Sequence, residues 1–396
     1  MTFKLAKSMS RLGTETAFEV LARARALEAK GMDVVHLEIG EPDFDTPANI
    51  VEAGRAALAN GFTHYGPSPG IPDLRASIAR KISRTRGIDV QAENVVVTPG
   101  AKPIMFFLIM ALVEPGDEVL YPNPGFPIYE SMINYVGAKA VPMPLLEDKN
   151  FRFDVDAFRQ SVNDRTRLII INSPANPTGG VLEISDLEAI ADVARERHIP
   201  VLSDEIYSDM VYDGKFASIA SLPGMKDLTI ILDGFSKTYA MTGWRLGYGV
   251  FPAELVPSIS RLVTNSVSCT ATFIQKAGIE ALEGPQDAAI TMIEEFRRRR
   301  KVIVDGLNRI PGVSCVLPAG AFYAFPNIKA TGMDSKQFAD VLLDKYGVAS
   351  LSGTSFGEFG NGYLRLSYAN SVPNLEKALD RIETAVRENA PVPSSR

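Results

Sequence analysis

Short, nearly continuous apolar runs that alternate with helical patterns constrain the fold of this chain more than any other feature. Such runs are typical of strands that are buried on both faces of a parallel sheet. Because helices fit between them, the pattern predicts an α/β layer architecture. The predicted strands span residues 94–97, 118–121, 168–172, 200–203, 228–232 and 247–251. The predicted helices span residues 101–112, 126–136 and 185–197, with Ser185 as the N-cap of the last and Glu188 at its third position.

The pattern changes after Pro285, where a long charged helix begins a segment of mixed helices and strands. Strands near residues 313–317, 321–325 and 363–367, a helix near residues 335–345 and a final helix predict a smaller α+β lobe. Because 396 residues exceed the usual size of a single core, we expect three segments. They are residues 1–46, whose helix near 14–30 packs with the small domain, the large domain of residues 47–285, and the small domain of residues 286–396, whose tail at 391–396 is expected to fray.

The composition, 46% hydrophobic and 22% charged, is that of a globular protein rather than a disordered one. A net charge of −6 disfavours a nucleic-acid partner, and the basic run at residues 297–301 fits the solvated face of an amphipathic helix. Cys269, Cys315 and three scattered histidines lack metal-like spacing, so we expect neither a metal site nor a disulfide, which suits a reducing compartment. We find no apolar run of the ~20 residues that a membrane span needs and no signal-peptide pattern, so we expect a cytoplasmic protein.

Chemically capable residues follow four of the predicted strands, and ligands of an open parallel sheet bind outside the carboxyl ends of its strands. After the first run come Gly100, Ala101 and Lys102, a small-residue turn that opens a helix. Free N–H groups at such a turn would seat a phosphate, although similar turns also start helices that bind nothing. After the third run comes Asn176, in a loop stiffened by prolines. Its amide would either donate to a ligand oxygen or only hydrogen-bond its own turn.

Asp204 directly follows the apolar run at residues 200–203. A carboxylate in such a place is costly unless it is paired. One suitable partner is a cationic ring nitrogen, with Tyr207 able to reach an adjacent oxygen. The alternative is that Asp204 only caps a following helix. The residues alone leave both interpretations open.

Ser236 and Lys237 follow the run at residues 228–232. Lys237 lies among Gly, Phe and Ser, a poor setting for a solvated surface lysine. Desolvation lowers the pKa of a lysine and makes its amine a Schiff-base nucleophile. Arg245 follows in the same segment and suits a phosphate, because its planar fork binds oxyanions with two hydrogen bonds. The alternative is a surface lysine with an arginine nearby by chance.

Phosphate, ring nitrogen, ring hydroxyl and aldehyde are the groups that pyridoxal phosphate (PLP) presents, and the four strand ends offer a partner for each. At these residues the chain resembles the fold-type I PLP enzymes, specifically the class I aminotransferases of the bacterial aspartate-aminotransferase-like branch. The resemblance extends almost end to end, from residues 40–47 (GEPDFDTP) through 176–179 (NPTG) and Ser236-Lys237 to 365–369 (RLSYA). It implies that the large α/β domain binds PLP.

The resemblance also implies roles for single residues. Lys237 would form the internal aldimine with PLP and later move the proton, while Asp204 would pair with the pyridinium nitrogen. The implied cofactor-binding residues are Lys237, Gly100, Ala101, Lys102, Phe126, Asn176, Asp204, Tyr207, Ser236, Arg245 and Tyr65. Of these, Tyr65 matches the tyrosine that reaches the phosphate of the neighbouring subunit, which implies a homodimer with shared active sites. The clamp for the substrate α-carboxylate is implied to be Gly40, Asn176 and Arg365.

The implied activity is that of a transaminase, which moves an amino group between an L-amino acid and a 2-oxo acid by a ping-pong mechanism. A PLP-dependent β-eliminating lyase on the same scaffold is the alternative. A non-catalytic PLP-sensing regulator is a remote alternative, since no DNA-binding module precedes the helix near residue 14. Phe126 stands where aspartate-specific members of the branch usually carry Trp, and no arginine stands out as a partner for a distal carboxylate. We therefore expect neutral or aromatic donors to react at least as well as aspartate.

Overall fold

A computed structural model describes residues 3–389 of the chain, so the tail at residues 391–396 lies outside the described residues. The strands are β1 (Val35–His36), β2 (Val95–Thr98), β3 (Glu118–Asn123), β4 (Lys139–Leu146), β5 (Arg152–Phe153), β6 (Thr166–Asn172), β7 (Val201–Asp204), β8 (Thr229–Gly234), β9 (Gly247–Val250), β10 (Tyr323–Ala324), β11 (Val348–Ala349), β12 (Leu351–Ser352) and β13 (Leu364–Ser367). The α-helices are α1 (Ala17–Glu28), α2 (Ala48–Ala59), α3 (Pro72–Arg86), α4 (Lys102–Leu112), α5 (Ile128–Val136), α6 (Val155–Ser161), α7 (Ile184–Arg197), α8 (Val256–Val267), α9 (Thr272–Glu283), α10 (Asp287–Leu307), α11 (Ser335–Tyr346) and α12 (Val372–Asn389).

Eight strands form the central sheet, in the order β2-β9-β8-β7-β6-β3-β4-β5. β9 runs antiparallel to both of its neighbours and β5 runs antiparallel to β4, whereas the other pairs are parallel. The predicted α/β fold with a mostly parallel central sheet is therefore confirmed, and each of the six predicted runs is one of its strands. The register places Asn172 beside Asp204 and Asp204 beside Leu232, so that the carboxyl ends of β6, β7 and β8 lie level.

Alternating side chains of the strands bury the sheet under helices on both faces. Ile230 and Leu232 of β8 pack in one apolar cluster with residues of α4, α5 and α8. Ile231, which points to the opposite face, packs in another with residues of α3 and α9. This burial on both faces explains why the strands are apolar almost throughout.

Two strands of the central sheet were not predicted, β4 and β5. β4 contains Pro142 and Pro144, and most of its side chains are only partly buried, because a two-residue strand is all that covers its outer side. Because of these prolines and this partial exposure, β4 lacks the continuous apolar run by which the inner strands were predicted.

Several predicted details are wrong. α7 begins earlier than predicted, with Glu183 as N-cap in a capping box with Asp186, so that Ser185 lies inside the first turn. Residues 313–317 form no strand among the described residues beyond a single bridge between Ser314 and Asn327.

The basic run at residues 297–301 does lie on a helix, α10, but not wholly on a solvated face. Arg299 and Arg300 are buried and form ion pairs with Asp43 and Asp213. Burial of a charge requires such partners, and these arginines therefore fasten α10 to the preceding part of the chain.

The smaller sheets lie in the C-terminal third, where β10, β13 and β12 form one antiparallel sheet and β1 pairs with β11. The pairing of β1 with β11 joins the N-terminal segment to the C-terminal third. The domain boundaries at residues 46/47 and 285/286 stay predictions. Among residues 3–389, none of the helices is long and apolar enough to cross a membrane.

Candidate active site

A cavity of ≈ 520 Å³ opens at the carboxyl ends of β6, β7 and β8. Most of the residues that the sequence singled out line it, namely Gly40, Ala101, Lys102, Phe126, Asn176, Asp204, Tyr207, Ser236, Lys237, Arg245 and Arg365. Gly100 adjoins the cavity through its close approach to Arg245. Tyr65 lies elsewhere, 88% exposed on the surface of the chain.

Lys237 reaches into this cavity from the turn after β8. Its Nζ donates a hydrogen bond to the carbonyl oxygen of Gly40 at 2.5 Å. Burial lowers the pKa of its amine to about 8; the charge of Glu41 opposes this shift, and the charge of Arg365 acts in the same direction as burial. Within residues 3–389 no carboxylate lies within ion-pair distance of Nζ. A sizeable fraction of the Lys237 amine is therefore neutral near pH 8, as a nucleophile requires.

Asp204 ends β7 and is buried at the floor of the cavity. Its Oδ2 accepts a hydrogen bond from the Tyr129 hydroxyl at 2.5 Å, and its Oδ1 accepts one from the Ile206 N–H at 3.3 Å. Burial raises the pKa of its carboxyl to about 6. The helix-capping interpretation is wrong, because the chain turns after Asp204 and no α-helix follows before α8. No cationic side chain of the described residues pairs with Asp204, so the site offers a buried anion to a cationic ligand.

Tyr207 and Asn176 lie beside Asp204 on the wall of the cavity. The hydroxyl groups of Tyr207 and Tyr323 are 2.7 Å apart and share a hydrogen bond. Burial raises the pKa of Tyr207 well above its ordinary value, so its hydroxyl keeps its proton as a donor. The backbone N–H of Asn176 donates to Oδ1 of Asn172, which fixes the loop after β6.

Arg365 projects from β13 and is buried between the rings of Tyr323 and Phe356, at 4.6 and 5.0 Å from their centroids. Its Nη1 donates to Oδ1 of Asn176 at 3.3 Å and its Nη2 to the carbonyl oxygen of Glu38. Its Nε, although buried, has no hydrogen-bond partner among the described residues. A buried guanidinium with a free donor is suited to an oxyanion.

Gly40 lets the backbone lie close to Tyr323, whose ring packs against Arg365. A Cβ at this position would lie 2.1 Å from the Tyr323 hydroxyl oxygen, which a side chain cannot tolerate. The glycine therefore allows its own carbonyl to meet Lys237 while Tyr323 remains in place.

The turn before α4 forms a seat for an anion. Gly100 has φ +81°, in the left-handed region that favours glycine, and an added Cβ would lie 2.2 Å from Nη2 of Arg245. Arg245 is anchored by a hydrogen bond from its Nη1 to the carbonyl oxygen of Thr242 at 2.8 Å. The N–H groups in the first turn of an α-helix have no partner within the helix, and those of α4 lie beside this guanidinium, which suits a phosphate.

Phe126 and Lys102 lie at the outer part of the cavity. Nζ of Lys102 is 5.4 Å from the centroid of the Phe126 ring and forms an ion pair with Glu15. Phe126 in turn meets the edge of Tyr129, with ring centroids 5.5 Å apart.

Three residues of the site were missed in the sequence: Tyr129, Tyr323 and Glu15. Each makes its contact to a residue far along the chain, and none ends an apolar run. Tyr129 lies only three positions beyond Phe126, in the first turn of α5, and this helical spacing is the one signal that would have pointed to it.

The chain is similar in sequence and in structure to known aminotransferases. The family described as "Aminotransferase class I and II" matches residues 32–382. An aspartate aminotransferase of Pyrococcus abyssi is 44% identical over 91% of this chain and 94% of its own length, and an aromatic-amino-acid aminotransferase of Thermococcus litoralis is 42% identical over the same shares. The solved alanine aminotransferase of Pyrococcus furiosus has a TM-score of 0.93 at 36% identity, over 98% of this chain and 100% of that one. The chain belongs to the class I and II aminotransferase family, whose members depend on PLP.

Proposed function

We propose that this aminotransferase moves an amino group from neutral L-amino acids to a 2-oxo acid, with PLP held at Lys237. The observation that carries the proposal is that an amine and a carboxylate, neither of them in an ion pair among the described residues, line the same cavity. Within residues 3–389, the partly buried amine of Lys237 forms no ion pair with a carboxylate, and the buried carboxylate of Asp204 forms none with a cation. An aldehyde and a protonated ring nitrogen on a single ligand would satisfy both.

The other residues of the cavity fit the remaining groups of PLP. Gly100, Ala101 and Arg245 would hold the phosphate, and the kept proton of Tyr207 together with Asn176 would bind the ring hydroxyl. When bound, PLP supplies an electron-withdrawing ring that takes up negative charge as the α-proton leaves.

The residues of the chain direct the reaction around that ring. Arg365, which lines the cavity, would bind the substrate α-carboxylate with its guanidinium, and the Asn176 side chain would help to orient it. Nζ of Lys237, neutral in part near pH 8, would accept the proton from the substrate Cα and return it. Asp204 would keep the ring nitrogen protonated throughout. A 2-oxo acid leaves after the first half of the reaction, and a second 2-oxo acid receives the amino group.

The proposal of neutral donors rests on the outer part of the cavity. Phe126 presents an apolar ring there, and the ammonium of Lys102, a cation that would attract a distal carboxylate, is already paired with Glu15. A dicarboxylic donor would have to displace this ion pair. Relatives are named for aspartate, aromatic amino acids and alanine, so the names themselves leave the donor open.

A homodimer is part of the same proposal. Tyr65 is 88% exposed beside Phe62, and the N-terminal segment exposes Phe3, Leu5 and Phe18. Apolar side chains exposed in such number support a protein–protein interface. In a dimer, Tyr65 would reach the phosphate at the partner's cavity. We further propose that the enzyme works in the cytoplasm.

The rival reaction on this scaffold is β-elimination, which would release ammonia and leave the cofactor unchanged. It is not favoured, since the similar proteins found are aminotransferases. A non-catalytic PLP sensor is not favoured for the same reason.

Two measurements test the proposal. Borohydride reduction of the PLP-loaded enzyme and peptide mapping should place the pyridoxyl group on Lys237, and Lys237→Ala should abolish turnover while the fold is kept. A label on Lys102 would refute the assignment. Single-turnover reactions with an excess of enzyme should then give one 2-oxo acid for each amino acid consumed; release of ammonia would show a lyase instead.

The donor class is tested by kcat/KM for alanine, phenylalanine, methionine and glutamine against aspartate, with a common acceptor. We expect the neutral donors to equal or exceed aspartate. Glu15→Gln, which frees Lys102, should raise the relative rate for aspartate, with Glu19→Gln on the same segment as control. A preference of the native enzyme for aspartate of about a hundredfold, or about 2.7 kcal/mol, would contradict the proposal.

A further inference from the structure

Tyr129 has no part in the binding roles described above, yet its hydroxyl meets the buried carboxylate at the floor of the cavity. We propose that Tyr129 is a positioning residue that keeps Asp204 ionised, so that Asp204 can hold the ring nitrogen of the cofactor in its protonated form. The inference rests on the proposed function, because it has meaning only if Asp204 faces that nitrogen.

The contact between the two side chains is short and buried. The Tyr129 hydroxyl donates to Oδ2 of Asp204 at 2.5 Å, and the tyrosine is fully buried. Within residues 3–389, its hydroxyl has no other hydrogen-bond partner. A hydrogen bond to a charged acceptor is about twice as strong as one between neutral groups.

The ring of Tyr129 is held in place independently of Asp204. Tyr129 lies in the first turn of α5, where its backbone N–H donates to the carbonyl oxygen of Phe126 at 3.1 Å. Its ring also meets the Phe126 ring edge to face, at an interplanar angle of 79°. The donor is therefore preorganised, and Tyr129 connects Phe126, an implied cofactor-binding residue, with Asp204, the expected partner of the ring nitrogen.

Asp204 needs such a donor because its surroundings oppose its charge. Burial raises the pKa of the Asp204 carboxyl, and the carboxylates of Asp233 and Glu205 raise it further, whereas the hydroxyl of Tyr129 and the N–H of Ile206 lower it. The backbone donor is the longer of the two, at 3.3 Å. Without the hydroxyl, the equilibrium would shift toward a neutral Asp204 beside an unprotonated ring nitrogen, by about tenfold or more.

A purely structural role for Tyr129 would be filled equally well by phenylalanine, which keeps the ring and removes only the hydroxyl. Tyr121 offers a matched control. It is a buried tyrosine of the same apolar cluster, and its hydroxyl accepts a hydrogen bond from Asn123 rather than contacting the cavity.

The experiment measures the protonation of the ring nitrogen directly, by NMR of PLP labelled with ¹⁵N in its ring and bound to the enzyme. The native enzyme should show a protonated nitrogen at pH 8. In Tyr129→Phe the resonance should move toward that of a neutral pyridine, and the dissociation constant of PLP should rise about tenfold, while Tyr121→Phe should match the native enzyme. If Tyr129→Phe does not fold, 3-fluorotyrosine at position 129, a nearly isosteric and stronger donor, should keep the ring nitrogen protonated to a higher pH than in the native enzyme, as followed by the same resonance in a pH titration.

The other possible results contradict either the role of Tyr129 or the assignment of Asp204. A nitrogen signal unchanged in Tyr129→Phe, or an unchanged titration midpoint with 3-fluorotyrosine where that variant is used, overturns the inference and leaves the proposed function intact. Equal changes in Tyr129→Phe and Tyr121→Phe would show a packing effect and also overturn it. An unprotonated nitrogen in the native enzyme would instead contradict the assignment of Asp204 itself.

Discussion

At the scale of single residues, the two arginines near the cavity differ in their surroundings and should differ in function. Arg365 is buried and its Nε has no hydrogen-bond partner within residues 3–389, whereas Arg245 is exposed beside Gly100 at the start of α4. The first is placed to bind substrate and the second to bind the cofactor phosphate.

We therefore expect opposite phenotypes for Arg365→Ala and Arg245→Ala. Arg365→Ala should raise KM and lower kcat/KM for every donor by about 2–4 kcal/mol in transition-state free energy, with PLP affinity little changed. Arg245→Ala should weaken PLP retention, measured by dialysis and absorbance. Thermal unfolding of both apoenzymes serves as the folding control, and a swap of the two phenotypes would refute both assignments.

The buried, ionised carboxylate of Asp204 should lower the free energy of unfolding of the apoenzyme at pH 8 relative to a neutral side chain at this position. The pKa of Asp204 rises from 3.8 to about 6 in the folded chain, so its stabilising contribution is complete below pH 3.8 and is lost as the pH rises through 6. Asp204→Asn should therefore stabilise the apoenzyme at pH 8 by about 2–3 kcal/mol, and the gain should shrink as the pH falls from 7 to 4.

Denaturant unfolding of the apoenzyme at several pH values checks this expectation. Asp164→Asn is the control, because the side chain of Asp164 is fully exposed and its substitution should change the free energy of unfolding by less than about 0.5 kcal/mol. A gain from Asp204→Asn that does not vary with pH would mean that ionisation is not its cause.

The site residues that could be predicted from the sequence share one local feature, a position at or just beyond the end of an apolar strand. Asp204 ends an apolar strand and Lys237 lies three residues beyond the end of another, and a polar residue at such a point is conspicuous. The contacts of Tyr129 with Asp204 and of Glu15 with Lys102 join positions 75 and 87 residues apart. Such contacts depend on how α5 and the N-terminal segment pack, which local periodicity does not encode.

At the scale of elements, a buried charge cluster joins α3 to the end of β7. Nε of Arg86, at the end of α3, lies 2.7 Å from Oε2 of Glu205, and its Nη2 donates to Oγ of Ser208 at 2.8 Å. Both charged side chains are almost fully buried, so each depends on the other. Since Glu205 follows Asp204, the cluster also anchors the floor of the cavity.

Removal of one partner should be far more costly than removal of both. Arg86→Met should destabilise the protein by about 3–5 kcal/mol in urea unfolding, because Glu205 is left buried and unpaired. Adding Glu205→Gln should recover part of that loss. Arg23→Met, in the half-exposed pair of Arg23 with Asp340, should cost less than about 1 kcal/mol. Equal costs for the two arginines would contradict the argument.

The order of helices and strands was readable wherever an element is buried on both faces. The inner strands and α4 met that condition, whereas β4 and β5 at the edge did not. The N-cap of α7 was misplaced by two residues, because Glu183 and Ser185 both suit a helix start and only the capping box with Asp186 decides between them. The antiparallel direction of β9 has no signature in its own residues; it follows from the path of the chain after Lys237.

At the scale of the whole molecule, the position of Tyr65 away from its own cavity predicts a shared active site. Mixing inactive Tyr65→Ala subunits with inactive Lys237→Ala subunits should restore activity, because one of the two sites of a heterodimer then has both native residues. The measurement is activity after subunit exchange, with exchange verified by native mass spectrometry. Proven exchange without recovered activity would contradict the shared site.

The contact of Arg365 with Glu38 joins positions 327 residues apart, and this sets an order of events during synthesis on the ribosome. Every strand of the central sheet, and every residue expected to hold PLP, precedes residue 251 in the chain. The substrate clamp is incomplete until β13, which contains Arg365, has been synthesised, and β1 cannot pair until its partner β11 has been synthesised. All strands of the central sheet have thus been translated while more than a third of the chain is still untranslated. Amino acids abundant in the surrounding solution meet a finished clamp only after the last strand has emerged.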